Sequence, residues 1–264
     1  MPSTSAINVT SGHDKQAGTY DNYLTYLTGT TEGLTLAING GSLSTATTDR
    51  TYTFTLSETS GKLDVLVSNT GVALKDFIEG RETPQYLSYS INENMNLDYT
   101  TAIGTTAGRT TSKTLDLFIN NDATLNANGE KQYDGITVAD GYTLNISSNA
   151  DHIGTIKNFN TALAVNNGGT LSISDMNIKD NVTGVSNSGT LTLNDVNFSG
   201  NATDVSNAGT LNLTGENTFG SKITGTTGTV TNSGTLNIGA SNLDVALTNN
   251  NTLNLGEGTL GKAI

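Results

Sequence analysis

The sequence predicts an all-β protein. Its larger part, residues 112–264, reads as a parallel β-helix, and residues 1–111 read as an irregular β-rich region before it. Three observations predict this. A short alternation, Thr-Leu-x-Leu or a close variant, recurs seven times. An Asn or Asp stands three residues ahead of each copy, with Gly two positions after it in four of the seven. Thr and Asn supply about 30% of the chain, aromatics 6%, and Pro occurs twice. Many short strands with tight turns fit that composition better than an aromatic-packed core or a disordered chain.

Residues 1–111 carry strand and turn signals without a repeat. Leu34–Ile38, Tyr52–Leu56 and Leu63–Val67 alternate as strands do, and Gly40-Gly41 and Ser60-Gly61 mark turns. Val72–Arg81 has the spacing of one short helix. Most of the nine tyrosines lie in this region, and no anchor column runs through it. Irregular coils and a capping subdomain both fit.

The repeats follow. Their anchors are Thr124, Thr143, Thr170, Thr190, Thr210, Thr235 and Thr252. One position later stands Leu in every copy, from Leu125 to Leu253. Two positions further come Ala127, Ile146, Ile173, Leu193, Leu213, Ile238 and Leu255. Five positions before the anchor come Ile119, Val138, Val165, Val185, Val205, Val230 and Leu247. Self-similarity at this period indicates a solenoid. The alternation of two excludes helical repeats, and the leucine-rich frame is absent. In a coil of a parallel β-helix, Leu points inward and Thr outward. The exposed face expected from this is Thr170, Thr190, Thr192, Thr210, Thr235 and Thr252.

The turn column has its own physics. Asn and Gly accept positive φ at little cost, so they bend the chain between strands. Asn side chains stacked about 4.8 Å apart can hydrogen-bond along the stack. The ladder expected is Asn167, Asn187, Asn207, Asn232 and Asn249. Anchor spacings from 17 to 27 residues place the length changes in loops, chiefly Ser147–Asn160 and Phe219–Gly228. Gly261-Lys262-Ala263-Ile264 ends within the pattern.

Composition also excludes functions. The net charge is −12, against the basic surface that nucleic acid requires. The same charge opposes adsorption to anionic lipid. Cysteine is absent, so neither disulfides nor thiol chemistry is expected. No apolar run is long enough to span a bilayer as a helix. Met1–Ser5 open without a basic or apolar segment, so the expectation is an internal protein or a piece of a longer one.

No catalytic group is expected. The two histidines, His13 and His152, lie in polar stretches. Asp175 and Asp195 share one repeat position, and Asp180 and Asp204 lie nearby. As a carboxylate pair they are the feature by which a polysaccharide hydrolase or lyase would be recognised. Basic partners are few, with only Lys179, Lys222 and Lys262 after residue 158. No calcium-binding repeat and no other metal or cofactor site is read. The Thr-rich face has two other uses, ordering water or carrying O-linked sugar. Asn181, Asn197, Asn201 and Asn212 match the N-glycosylation pattern.

The Asn-x-Gly-Thr-Leu coils of residues 112–264 resemble the passenger domains of Gram-negative autotransporters. Asn197-Phe198-Ser199-Gly200-Asn201 resembles the Phe-x-x-Asn motif of polymorphic outer-membrane proteins, with Ile178-Lys179-Asp180-Asn181 as a variant. The companion Gly-Gly-Ala-Ile motif is missing. Similar repeats occur in large surface adhesins and phage tail proteins. The resemblance implies a right-handed helix, display at the cell surface or secretion, and adhesion to host or bacterial surface glycans or proteins, or self-association. The alternatives are a carbohydrate-active β-helix and a piece of a phage tail fibre.

Overall fold

In Thr170–Lys179 and Thr190–Ser199 the apolar residues alternate strictly, then skip one position and resume. The skip falls at Asp175 and Asp195, whose φ angles are 54° and 56°. A left-handed residue inside a strand turns it through a corner, and Asp accepts that conformation better than β-branched residues do. Each long strand therefore serves two faces of a coil. Leu171, Ile173, Leu191 and Leu193 are buried on one side of the corner, and Met176, Ile178, Val196 and Phe198 on the other.

The computed structural model describes the backbone of Gly18–Leu24, Ser44–Ala46, Arg50–Leu56 and Leu63–Asn69, together with residues 73–80, 88–97, 99–104, 113–128, 131–148, 151–225, 227–239 and 242–258. The expectations at His13, at Leu34–Ile38, at the two N-terminal turns and at the last four residues lie outside the described residues. The chain divides into two units.

The first unit comprises residues 1–73 with 88–90. Four of its strands form an antiparallel sheet in the order Gly18–Leu24, Leu63–Asn69, Arg50–Leu56, Ser44–Ala46. The strands expected at Tyr52–Leu56 and Leu63–Val67 lie within it.

The second unit is a parallel β-helix of three faces. The first face stacks Thr114–Ile119, Thr143–Ser147, the leading halves of the two long strands, Thr210–Thr214, Thr229–Asn232 and Leu247–Asn249. The second stacks Met95–Asn96, Thr124–Asn126, Gly154–Lys157, the trailing halves of the long strands, Glu216–Phe219, Thr235–Gly239 and Thr252–Gly256. The third stacks Thr101–Ile103, Ile136–Val138, Thr161–Val165, Thr183–Asn187, Thr203–Asn207, Lys222–Thr224 and Leu243–Asp244. A single coil cannot bury its apolar side, but stacked coils bury it continuously.

Coils begin before residue 112. Met95–Asn96 and Thr101–Ile103 already pair in parallel with the next coil. Leu97 and Ile103 are fully buried although no anchor motif marks them. The helix Leu74–Glu79, at the place expected, buries Leu74, Phe77 and Ile78 and packs against Thr101–Ile103.

The anchor motif does not keep to one face, which corrects the single inward column. Leu171, Leu191 and Leu211 stack as expected, and the column continues with Val230. Leu236 and Leu253 instead pair with each other on the second face, above Asn217. Thr124 also lies on the second face. The −5 column slips similarly, with Leu163 rather than Val165 beside Val185. Both faces require the same alternation and the same sharp entry, so Asn-x-Gly-Thr-Leu serves either.

Candidate binding surface

Each corner of the coil is held from inside by asparagine. Between the third and first faces, Asn187 Nδ2 donates to Asn207 Oδ1 at 2.8 Å and to Thr210 O at 2.9 Å. Asn207 Nδ2 donates in turn to Thr229 O at 3.0 Å. Both residues are buried. Between the first and second faces, Asn232 Nδ2 donates to Asn249 Oδ1 and to Thr252 O, each at 2.8 Å. The five asparagines expected in one ladder thus form two pairs on different corners, and Asn167 joins neither. Val165 pairs with Asn187. Two extra residues loop out after Val165 through Gly168, whose φ is 81°, and leave Asn167 exposed.

This gives a direct contrast. Asn207→Ala is expected to lower the unfolding free energy by about 1–3 kcal/mol, because it strands buried partners. Asn167→Ala is expected to change it by less than about 0.5 kcal/mol. Urea midpoints of the two variants check both values, and equal effects would show that ladder membership does not matter.

A third network lies between the second and third faces, at the asparagines of the Phe-x-x-Asn-like motifs. Asn181 Nδ2 donates to Asn201 Oδ1 at 2.9 Å, and Phe159 N donates to Asn181 Oδ1 at 2.9 Å. Asn201 Nδ2 donates to Asp204 Oδ1 at 2.8 Å, and Ser221 N donates to Asp204 Oδ2 at 2.6 Å. Asn181 and Asn201 are buried, so their glycosylation motifs are closed to sugar in the folded chain. The two motifs signalled Asn181 and Asn201 in the sequence; nothing signalled that Asp204 completes them.

Asp204 is fully buried. Burial pushes its carboxyl above the ordinary value, while the Asn201 amide and the backbone N–H groups of Ser221 and Gly220 pull it back. A carboxyl raised on folding stabilises most below its unfolded pKa, and that contribution is lost as pH rises through the folded pKa. Asp204→Asn removes this titration. The stability advantage of wild type over the variant is therefore expected to shrink as pH rises from the ordinary carboxylate pKa of about 3.9 towards neutrality. An advantage that grows over that range would show that the three donors outweigh desolvation.

The outward side is different. Thr143, Thr170, Thr190, Thr210 and Thr229 lie in register on the first face. Thr192 lies beside them, between Ser172 and Asn212. Thr235 and Thr252 stand on the second face next to Glu216, so the expected Thr face is divided. On the second face the exposed amides link along the stack, Asn197 to Asn177 at 3.2 Å and Asn254 to Asn237 at 2.7 Å. Along the corner between third and first faces runs an open concavity of about 470 Å³, lined by Gly168, Ser188, Gly189, Ala208, Gly209 and Thr210 among others.

The titratable groups are spread out. Asp175 and Asp195 are adjacent on the stack, both at the corner positions of positive φ. Asp195 Oδ1 accepts Glu216 N–H at 2.7 Å, which assigns it a part in the turn. Burial, and secondarily the Asp195 charge, raise the Asp175 carboxyl above its ordinary value. His152 Nδ1 lies 3.5 Å from Asp122 Oδ2, with both side chains largely exposed. Among the described residues, no three His, Cys, Asp or Glu side chains gather where they would hold a metal ion. No described helix is long and apolar enough to cross a membrane.

Comparison with protein families, with curated proteins and with solved structures finds no match for this chain.

Proposed function

We propose that this chain is a structural and adhesive solenoid of a cell surface or secreted protein, binding glycans, proteins or a second copy of itself through its outward faces. The first face carries the proposal. From Thr143 to Thr231 its outward positions are all Ser, Thr or Asn, none of them charged. In a chain of net charge −12, such a face meets a large partner without bringing carboxylates against it. Regular stacking also repeats the same donors and acceptors at about 4.8 Å, so weak contacts add along the axis. The resemblance to passenger domains supports the surface location.

The test combines binding with product analysis. Glycan and self-association assays are expected to give binding that Thr192→Lys and Thr210→Lys weaken, without release of reducing ends or unsaturated sugars. The raised Asp175 carboxyl beside Asp195 favours a second reading, acid–base cleavage of a polysaccharide. Products that Asp175→Asn or Asp195→Asn abolishes would establish it and overturn the first.

A further inference from the structure

The second face holds two lysines that the fold does not need. Lys157 ends the strand Gly154–Lys157 and pairs in register with Lys179 on the next coil. Their backbones are therefore one strand step apart, about 4.8 Å. Like charges directly opposed across a ladder destabilise it. Neither ammonium makes an ion pair with a described residue, although the chain has 24 acidic residues against 12 basic.

The acids near this corner are engaged in turns. Asp134 Oδ1 accepts the Asn160 side-chain amide at 2.9 Å and Thr161 N–H at 3.0 Å. Asp180 is exposed and follows Lys179 directly, but its φ of 58° turns the chain there and it makes no ion pair with a described residue. Asp204 is buried. Further exposed acids, Asp122, Asp151 and Asp195, stand at the opposite edge of the second face. Four residues of strand, about 13 Å, separate the two edges. That exceeds the screening length of about 8 Å at physiological salt. Of the five lysines in residues 113–258, four lie on the side of Lys157 and Lys179, including Lys131 and Lys222 at neighbouring turns.

The geometry points to Lys157 and Lys179 as a binding site for a linear acidic polysaccharide lying along the solenoid axis. This rests on the adhesive reading and specifies one class of partner for it. Two lysines one strand step apart suit a polymer with one carboxylate or sulfate on each successive sugar. The flanking side chains suit its hydroxyls. Asn158 Nδ2 donates to Asn126 Oδ1 at 2.7 Å beside Lys157, and the Asn177–Asn197 ladder runs two residues from Lys179. Nucleic acid fits less well, since no aromatic side chain stands in this outward column to stack on a base.

The experiment titrates the full chain with polygalacturonate, dextran, single-stranded DNA and phosphatidylglycerol vesicles, for wild type and the Lys157→Gln/Lys179→Gln double variant. Circular dichroism and the urea midpoint verify that the variant is folded. Wild type is expected to bind polygalacturonate above the other three probes. The double variant is expected to bind it about tenfold or more weakly, with the slope of log affinity against log salt reduced by up to about two, one for each ammonium lost. Undiminished polygalacturonate binding by the folded double variant would overturn the site and leave the adhesive reading standing. So would preference for DNA or vesicles. Binding to dextran or self-association alone, sensitive to Thr192→Lys, would likewise remove only this inference. Absence of all binding and of self-association would remove both.

Discussion

Phe198→Ala is expected to cost about 3–5 kcal/mol of unfolding free energy. Phe198 is 1% exposed, and its ring stacks on Phe219 at a centroid distance of 4.9 Å and an angle of 10°. In register it lies between Ile178 and Phe219. One edge of the ring rests on Gly184, where an added Cβ would lie 3.1 Å from it. The gap left by alanine cannot close, because hydrogen-bonded ladders hold the coils at their spacing on both sides. Phe198→Leu, which keeps most of the volume, is expected to cost about half as much. Urea unfolding gives the difference, and hydrogen exchange on Thr210–Thr224 locates it, since neighbouring coils are stabilised mainly by one another. A loss below about 1 kcal/mol would mean that this interior is not packed as described.

Gly209→Ala is the second large effect. An alanine Cβ at this turn would lie 2.1 Å from Gly189 O and 2.8 Å from Ser188 C. Both atoms are backbone of the previous coil, and Gly189 O already accepts Thr210 N–H at 2.9 Å. Relief requires the coils to separate at this corner, which also opens the Asn187–Asn207 bond. The cost is expected to reach or exceed the upper end of the about 1–3 kcal/mol typical of overpacking. Gly256→Ala is the control. The nearest atom to its added Cβ is 3.4 Å away, and it is expected to change stability by less than about 1 kcal/mol. Thermal unfolding of the two variants decides the matter, and similar midpoints would refute the close-approach argument.

The concavity along the Gly189–Gly209 corner follows from the same constraint. Glycine is present because the previous coil's backbone passes too near for a side chain, so the hollow records close stacking. The binding surfaces proposed above instead lie where side chains point away from the stack, on the first face and along Lys157 and Lys179.

The sequence by itself determined the strands of the repeats, the residue types at their turns and most of their inward residues, although Leu255, expected inward, is 40% exposed on the last coil. Leu171, Leu191 and Leu211 declare their burial through an alternation that only a half-buried strand requires. Asp175 and Asp195 declared a shared position, and the helix at Leu74–Glu79 was legible from its spacing. Those properties depend on neighbours a few positions away. Only the tertiary structure decided which face each strand joins, because register between coils depends on the summed lengths of the intervening turns. Two extra residues after Val165 take Asn167 out of the ladder that its motif predicts. A short third-face strand at Lys222–Thr224 brings Thr229 to the first face and sends Thr235 to the second. The closing of Asn181, Asn201 and Asp204 into one buried network, and the stacking of Lys157 on Lys179, arise in the same way. The Asn181–Asn201 and Lys157–Lys179 contacts join residues about twenty positions apart, brought together when one complete turn of the helix closes on the next.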